Sequence, residues 1–194
     1  MTVADLLARW EVEQIRGFSL LQPWASLLAL GEKVIETRSR PSGYRGAVAT
    51  ASSSRINVDD GALAFRDADF AAAWRRHPGY AARVRDLPLG VFVSVSRFIA
   101  CVPTVDVIGE LRAAEARGLR PTVAGVSCGV TESAFGNYAP GRSGYVFAET
   151  HRLVRPLPCK GMLGFWTIGE LYRTALLNAE VVPSSTIERV RDGA

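Results

Sequence analysis

The sequence predicts an α+β domain built around a small barrel or a curled sheet. Short predicted strands are interspersed with helices, but no strand leads into a helix through the glycine fingerprint that opens a doubly wound parallel sheet. The chain has 194 residues, a length that suits one domain. Hydrophobic residues make up 48% and charged residues 22%, so the chain can bury a core without disulfides or metal ions.

The first third of the chain is predicted to alternate helices and strands. Pro23 occupies the favoured first position of a helix and Gly31 ends it. The pair Ser42-Gly43 indicates a turn, and we expect the strands on either side of it to form a hairpin. The predicted elements are a helix at 3–14, a strand at 15–20, a helix at 23–30 and strands at 33–38 and 44–52.

The rest of the chain contains one strong strand pattern between helical segments. Val91, Val93 and Val95 alternate, which is typical of a strand. Asn57 or Asp59 is expected to cap a helical insertion. The predicted elements are the insertion at 57–86, a strand at 89–102, a helix at 104–117, a long loop at 119–144, strands at 144–152 and 162–168, and helices at 169–178 and 184–191.

Composition excludes several classes of protein. No apolar run approaches the roughly 18 residues of a membrane helix, and the first residues lack the basic segment of a signal peptide. The three cysteines and two histidines are too scattered for a disulfide framework or a zinc motif. We therefore expect a cytoplasmic protein with no metal site, no cofactor and no membrane partner.

The charge balance permits an anionic partner. The formal net charge is +4, and only two of the 23 basic residues are lysines, Lys33 and Lys160. Lysine differs from arginine because it is a compact point charge and its pKa shifts readily. The scarcity of lysine is either chance or a sign that a lysine is required at position 33.

The segment LGEKVIETRSR concentrates charge on one short strand. Glu36, Arg38 and Arg40 lie two residues apart and are expected to share a face, with Lys33 at the preceding turn. Such a face is costly unless it lines a wet cleft or pairs internally. We expect a polar cleft containing Lys33, Glu36 and Arg38; the alternative is a structural Glu36–Arg38 ion pair.

A second segment combines Gln22 and Trp24 around Pro23. A helix N-terminus offers free N–H groups to an anion, and Trp24 either stacks on a base or fills the core. Downstream, residues 38–55 contain four arginines and no acid. This local charge suits phosphate contacts, with Arg45 among the candidates, although a solvated charged face is the alternative.

A third segment, FGNYAPGRSGY, interleaves aromatic residues with an arginine. Tyr138 and Tyr145 flank Arg142 in a stretch rich in glycine and proline. Aromatic rings beside an arginine fit base stacking with a phosphate or cation–π contact. The alternative is a loop that packs its own aromatic rings onto the barrel.

These segments resemble the ASCH family, the activating signal cointegrator homology domain of the PUA-like superfamily. LQPWASLLALG followed by EKVIETR matches the family signature G-x-K-x-x-E-x-R as Gly31, Lys33, Glu36 and Arg38. FGNYAPGRSGY and PCKGMLGFWTI are similar to later family segments. The resemblance implies a PUA-like small β-barrel with flanking helices over 15–168, with helical extensions at 1–14 and 169–194.

The resemblance also implies a nucleic-acid ligand. The function we expect is binding of RNA or DNA, single strands or flipped bases favoured, by Gln22, Trp24, Lys33, Glu36, Arg38, Arg45, Tyr138, Arg142 and Tyr145. One alternative is a hydrolase acting on RNA or a modified nucleoside, with Lys33 and Glu36 catalytic. Amidohydrolase members carry a threonine nucleophile where this chain has Glu36, and the adjacent Thr37 is expected to face away. The other alternative is a protein-interaction domain that uses the 57–86 insertion.

Overall fold

The computed structural model describes residues 1–56, 67–78, 80 and 84–184. The strands are β1 (Ile15–Leu20), β2 (Ile35–Arg38), β3 (Gly46–Ser52), β4 (Val91–Pro103), β5 (Thr122–Val123), β6 (Val126–Ser127), β7 (Ser143–Pro158), β8 (Phe165–Thr167) and β9 (Val181–Pro183). The helices are α1 (Val3–Arg9), α2 (Trp24–Ala29), α3 (Ala68–Arg75), α4 (Thr104–Glu115) and α5 (Glu170–Leu177), with 3-10 turns at Val84–Asp86 and Glu132–Phe135. No helix in the described part of the chain is long and apolar enough to cross a membrane.

Seven of the strands form one curled sheet, so the α+β architecture predicted from the sequence is confirmed. The strand order is β2-β7-β4-β3-β1-β8, and β9 pairs with β7. Among the strand pairs of this sheet that the described residues form, only β1 and β3 run parallel. The long strands β4 and β7 shift register at three places, and such bulges bend a strand so that its sheet can curl.

The sheet packs on both faces because its strands alternate. In β3, Ala47, Ala49 and Ala51 face a cluster that also contains residues of α1 and Trp166. Val48 faces the opposite cluster, which is rich in aromatic side chains. Successive side chains of β3 point to opposite faces, and a core cluster covers each face, so β3 is buried along its length.

The N-terminal helix is fastened to the C-terminal elements. Thr2 and Asp5 form a reciprocal capping box at the start of α1. The Val3 N–H then donates to the Ala179 carbonyl, and Leu6 is fully buried in the cluster around β3. The helix predicted at 3–14 is therefore present but ends at Arg9.

The hairpin predicted for 33–38 and 44–52 is wrong. β2 pairs antiparallel with β7, whereas β3 lies between β1 and β4. The segment around Ser42-Gly43 therefore connects strands that are not neighbours, and no turn is assigned to it. The physical reason is that β3 gains two neighbouring strands in the centre of the sheet, and β2 finds its partner at the far edge.

The helical insertion predicted at 57–86 is described only in part, and its predicted caps at 57 and 59 lie outside the described residues. The described helix α3 has its own cap, Asp67, whose carboxylate accepts the N–H groups of Asp69 and Phe70. The loop predicted at 119–144 needs correction: the segment contains β5, β6 and a 3-10 turn, because short-range hydrogen bonds organise it. Most of the helix predicted at 184–191 also lies outside the described residues, and β9 was not predicted.

We expect Gly17→Ala to destabilise the protein. A Cβ at Gly17 would lie 2.3 Å from the Trp166 ring, so β8 must shift away from β1. Such overpacking costs about 1–3 kcal/mol in the free energy of unfolding, measured by urea denaturation. Gly109→Ala is the matched control, because a Cβ there meets nothing within 4 Å and should stabilise α4 by about 0.5–1 kcal/mol. Equal effects of the two substitutions would contradict the close approach of Trp166.

Candidate functional site

An open cleft of about 860 Å³ lies where β1, β2, the first turn of α2, α3 and the 134–142 segment meet. Its volume falls in the range of small-molecule sites in proteins. Its walls carry charged, amide and hydroxyl groups beside aromatic rings. The residues that supply the chemistry are Trp24, Glu36, Arg38, Phe135, Asn137 and Arg142.

Lys33 lies beneath the cleft and not in it. Its side chain is completely buried, and its ammonium donates to the carbonyls of Ile35 (2.5 Å) and Phe135 (2.6 Å). It also lies 3.5 Å from a Glu36 oxygen. Three acceptors therefore surround the three ammonium donors. The expectation that the cleft contains Lys33 is corrected: Lys33 does not line the cleft but joins β2 to the segment that forms the opposite wall.

Glu132 completes this support from the other side. Its two carboxylate oxygens accept the N–H groups of Val34 and Ile35, each at 2.9 Å. Burial raises the pKa of Glu132 to about 6, although the Lys33 charge and these N–H bonds act in the opposite direction. Ile35, the first residue of β2, is thus held at both its N–H and its C=O group by buried charged side chains.

Glu36 presents a carboxylate to the cleft between two cations. One oxygen lies 3.2 Å from the Arg38 Nε, and the other faces Lys33. The Arg38–Glu36 contact lacks hydrogen-bond alignment, so it is an ion contact and not a hydrogen bond. The predicted Glu36–Arg38 pair exists, and both residues also line the cleft.

Arg38 is oriented by groups other than Glu36. Its Nη2 donates to the Ser19 carbonyl at 2.8 Å, and its guanidinium lies 4.7 Å from the centre of the Phe18 ring. A carbonyl and an aromatic face together fix the plane of the fork. Arg38 is therefore positioned before any ligand arrives.

Arg142 is held on the opposite wall by two main-chain oxygens. Its Nε donates to the Asn137 carbonyl at 3.0 Å and its Nη2 to the Thr37 carbonyl at 3.1 Å. The Thr37 hydroxyl accepts the Asn137 N–H at 2.9 Å, so this hydroxyl is engaged in holding the wall. Thr37 borders the cleft, contrary to the expectation that it faces away, but its hydroxyl serves the loop.

Apolar groups line the remaining walls and the mouth. Trp24 is half-buried at the start of α2, and the rings of Phe70 and Phe135 meet edge to face at a centroid distance of 4.9 Å. Leu163 lies at the rim with 97% of its surface exposed, and Leu21 is also exposed there. The cleft therefore offers aromatic area next to its charged groups.

The helix that supplies Phe70 is anchored by a buried acid. Glu32 accepts hydrogen bonds from the Arg76 Nη2 (2.5 Å) and the Arg76 Nε (3.0 Å) and lies 2.8 Å from the His77 Nε2. Burial acts to raise the pKa of Glu32, but the hydrogen bonds from His77 and Arg76 outweigh it and lower the pKa to about 2. This contact ties the end of α3 to the end of α2.

Three of the predicted contact residues have structural positions instead. Gln22 is fully buried, and its amide donates to the Pro88 carbonyl and accepts the Ser26 N–H. Tyr138 is buried in the cluster beneath α4, and burial raises the pKa of its phenol. Tyr145 is buried in the aromatic cluster, and its hydroxyl donates to the Arg40 carbonyl.

The helix start does not offer the anion site expected from its position. The N–H groups of Ala25, Ser26 and Leu27 are already bonded to Leu21, Gln22 and Pro23. Since α2 has only six residues, its dipole is also short. Arg45, the remaining predicted residue, is exposed but lies outside the cleft wall.

The sequence analysis missed Glu132 and Asn137. Glu132 accepts the N–H groups of Val34 and Ile35, and the Asn137 N–H donates to the Thr37 hydroxyl, so these contacts join residues 97 to 100 positions apart in the sequence. One signal was present: Glu132 is the single acid in the sequence of residues 116–148, a segment rich in small residues. That signal does not indicate which strand the carboxylate holds.

Comparisons with known proteins give a structural likeness and nothing at the sequence level. No family model and no curated protein matches the chain. A solved structure of ZmASCH from Zymomonas mobilis, a tyrosine-to-phenylalanine variant, covers 84% of this chain and 96% of its own, with 12% identity and a TM-score of 0.45. The similarity is to an ASCH protein.

We expect Glu132→Gln to remove a pH dependence of stability. The native pKa near 6 lies above the ordinary value of 4.5, so the native state binds more protons in this window. The free energy of unfolding therefore falls as pH rises from about 4.5 to about 6, and it is level above. An amide does not titrate, so urea denaturation of the variant should show no such fall.

The same variant should be less stable at pH 7 by about 1–3 kcal/mol, since the amide nitrogen that replaces one carboxylate oxygen cannot accept the second N–H group. Glu110→Gln, at an exposed position of α4, is the matched control and should behave as wild type. An unchanged pH profile in Glu132→Gln would show that another group titrates in this window.

Proposed function

We propose that the cleft binds a single-stranded nucleic acid by taking up one unpaired or flipped base. The observation that carries the proposal is the meeting of Trp24, Glu36, Arg38 and Arg142 in one open cleft of about 860 Å³. A flat ring, a carboxylate and two fixed guanidiniums are the groups that stack on a base, accept its N–H groups and bind its phosphate.

The part of the nucleotide that each residue is proposed to contact follows from its position. Trp24 supplies an aromatic face for stacking. Glu36 can accept hydrogen bonds from the N–H groups of a base edge, since an ionised carboxylate is an acceptor only. Arg38 and Arg142 are each fixed by main-chain carbonyls, so their remaining donors are available for a phosphate with little loss of side-chain freedom.

The shape of the site favours single strands. A cleft of this volume accommodates a nucleotide, but a base inside a duplex would first have to leave the stack. Unstacking costs a few kcal/mol, and an unpaired base avoids this cost. The proposal therefore ranks single-stranded RNA or DNA above duplex DNA.

The hydrolase alternative is less well supported by the geometry. Lys33 has no exposed surface, and its ammonium is surrounded by two carbonyls and a carboxylate. A buried cation in such a position supports the cleft but cannot reach a ligand's reacting atoms without disrupting β2. We therefore assign Lys33 a positioning role in the proposal and give it no catalytic step.

We expect Trp24→Ala to weaken binding to single-stranded RNA. Stacking on an aromatic side chain is worth about 1–3 kcal/mol per base, so the Kd should rise by about 5- to 150-fold. The measurement is fluorescence anisotropy with labelled single-stranded RNA, single-stranded DNA and duplex DNA at two salt concentrations. The RNA is then checked on a gel for cleavage.

Tyr172→Ala is the matched control, because Tyr172 is a partly buried aromatic residue packed on the other side of the sheet. It should bind RNA as wild type does. If wild type binds none of the three probes, or if Trp24→Ala and Tyr172→Ala behave alike, the cleft is not a base-binding site. Duplex binding as strong as single-strand binding would also contradict the proposal.

A further inference from the structure

One core cluster of the curled sheet consists largely of aromatic rings, and arginines lie over several of them. Phe18, Phe98 and Phe165 pack with centroid distances of 4.8 Å (Phe18–Phe165) and 5.1 Å (Phe98–Phe165). The ring of Tyr44 packs on Phe165 at 5.0 Å. The result is a continuous aromatic layer that joins β1, β4 and β8 to Tyr44, which lies just before β3.

Two exposed arginines place their guanidiniums over these rings. The Arg16 guanidinium carbon is 4.8 Å from the Tyr44 ring centre, and that of Arg45 is 4.8 Å from the Phe98 ring centre. Arg45 also donates to the carbonyls of Ser42 and Tyr44. We name Arg16 and Arg45, with the rings of Tyr44 and Phe98, the arginine shelf.

The shelf carries positive charge that the protein does not neutralise. Within the described ranges, neither Arg16 nor Arg45 has a carboxylate within salt-bridge distance. The other acid–base pairs of the described chain engage different arginines. A guanidinium stacked on a ring keeps its edge N–H groups pointing outward, in the planar fork that matches a phosphate.

The shelf is continuous with the cleft through Arg38. Arg38 lines the cleft and stacks on Phe18, and Phe18 stacks on Phe165, which contacts Tyr44. The three guanidiniums therefore lie on one connected aromatic layer, of which Arg38 marks the cleft end.

We propose that the arginine shelf binds the sugar-phosphate backbone of the nucleotides that flank the base in the cleft. The inference rests on the proposed function and adds the path of the strand: out of the cleft at Arg38 and across Arg16 and Arg45. A ligand of the shelf must be a flexible chain with one negative charge per nucleotide. A free mononucleotide has no flanking nucleotides and cannot reach from the cleft to the shelf. The shelf therefore gives affinity for oligonucleotides without selecting a sequence.

The test is the double variant Arg16→Gln/Arg45→Gln, assayed with a labelled ten-nucleotide single-stranded RNA across salt concentrations. Each phosphate contact on a single strand contributes about −0.7 to the slope of log K against log salt. Loss of two contacts should therefore make the negative slope shallower by about 1.4. If the two contacts contribute nothing to affinity at about 1 M salt, the double variant should bind the RNA about tenfold more weakly than wild type at about 0.2 M salt and about sixtyfold more weakly at about 0.05 M. Binding of uridine monophosphate, followed by ligand-observed NMR, should not change.

Two further proteins complete the design. Arg112→Gln/Arg117→Gln removes the same charge from exposed positions on and just after α4 and should leave both affinities unchanged. Arg16→Lys/Arg45→Lys keeps the charge without the planar fork, and it should keep the salt slope while binding more weakly than wild type. If the thermal midpoint shows that the glutamine variant does not fold, the affinity of the lysine variant for the RNA tests the inference instead.

The outcomes separate this inference from the proposed function. If the shelf variants bind the ten-nucleotide RNA as wild type does, while Trp24→Ala weakens it, the shelf does not contact the strand and the cleft assignment stands. An equal loss in the α4 variant reduces the effect to net charge and overturns the inference. If wild type binds neither the RNA nor the mononucleotide, both proposals fail together.

Discussion

The site depends on two opposite charges buried beneath β2. The Lys33 ammonium and the Glu132 carboxylate are both removed from solvent, which is costly unless each is fully hydrogen-bonded. Lys33 bonds two carbonyls and faces Glu36, while Glu132 bonds two N–H groups. Because these acceptors and donors belong to β2 and the 132–137 segment, desolvation of either charge is offset only when the two walls of the cleft are in place.

The arginines of the cleft are also held by main-chain carbonyls from separate chain segments. Arg38 is bound to the Ser19 carbonyl on β1, and Arg142 to the carbonyls of Thr37 and Asn137. Each guanidinium thus uses part of its fork to hold two chain segments together and leaves the rest toward the cleft. A ligand would meet charges that are already oriented, and preorganisation of this kind reduces the entropy that binding costs.

Local signals in the sequence predict much of the fold and part of the site. The alternation in β4 and the positions of Pro23 and Gly31 around α2 depend on neighbours a few residues apart, and both elements are present. The pairing of β2 with β7 depends on contacts about 100 residues apart, so the hairpin predicted from a local turn was wrong. Glu36 and Arg38 are two residues apart, so their spacing was enough to predict them. Glu132 bonds residues 97 and 98 positions away, so no local pattern predicts its contact.

The burial of Lys33 gives a physical reason for a lysine in a chain that otherwise favours arginine. An ammonium has three donors in a compact tetrahedral arrangement, and the structure provides three acceptors around it: two carbonyl oxygens and one carboxylate oxygen. A guanidinium would bring five donors in a plane, and its extra N–H groups would be buried without acceptors. Each such group costs about 1–3 kcal/mol. The lysine at position 33 therefore has a structural cause, because a compact ammonium bonds groups from both walls of the cleft at once.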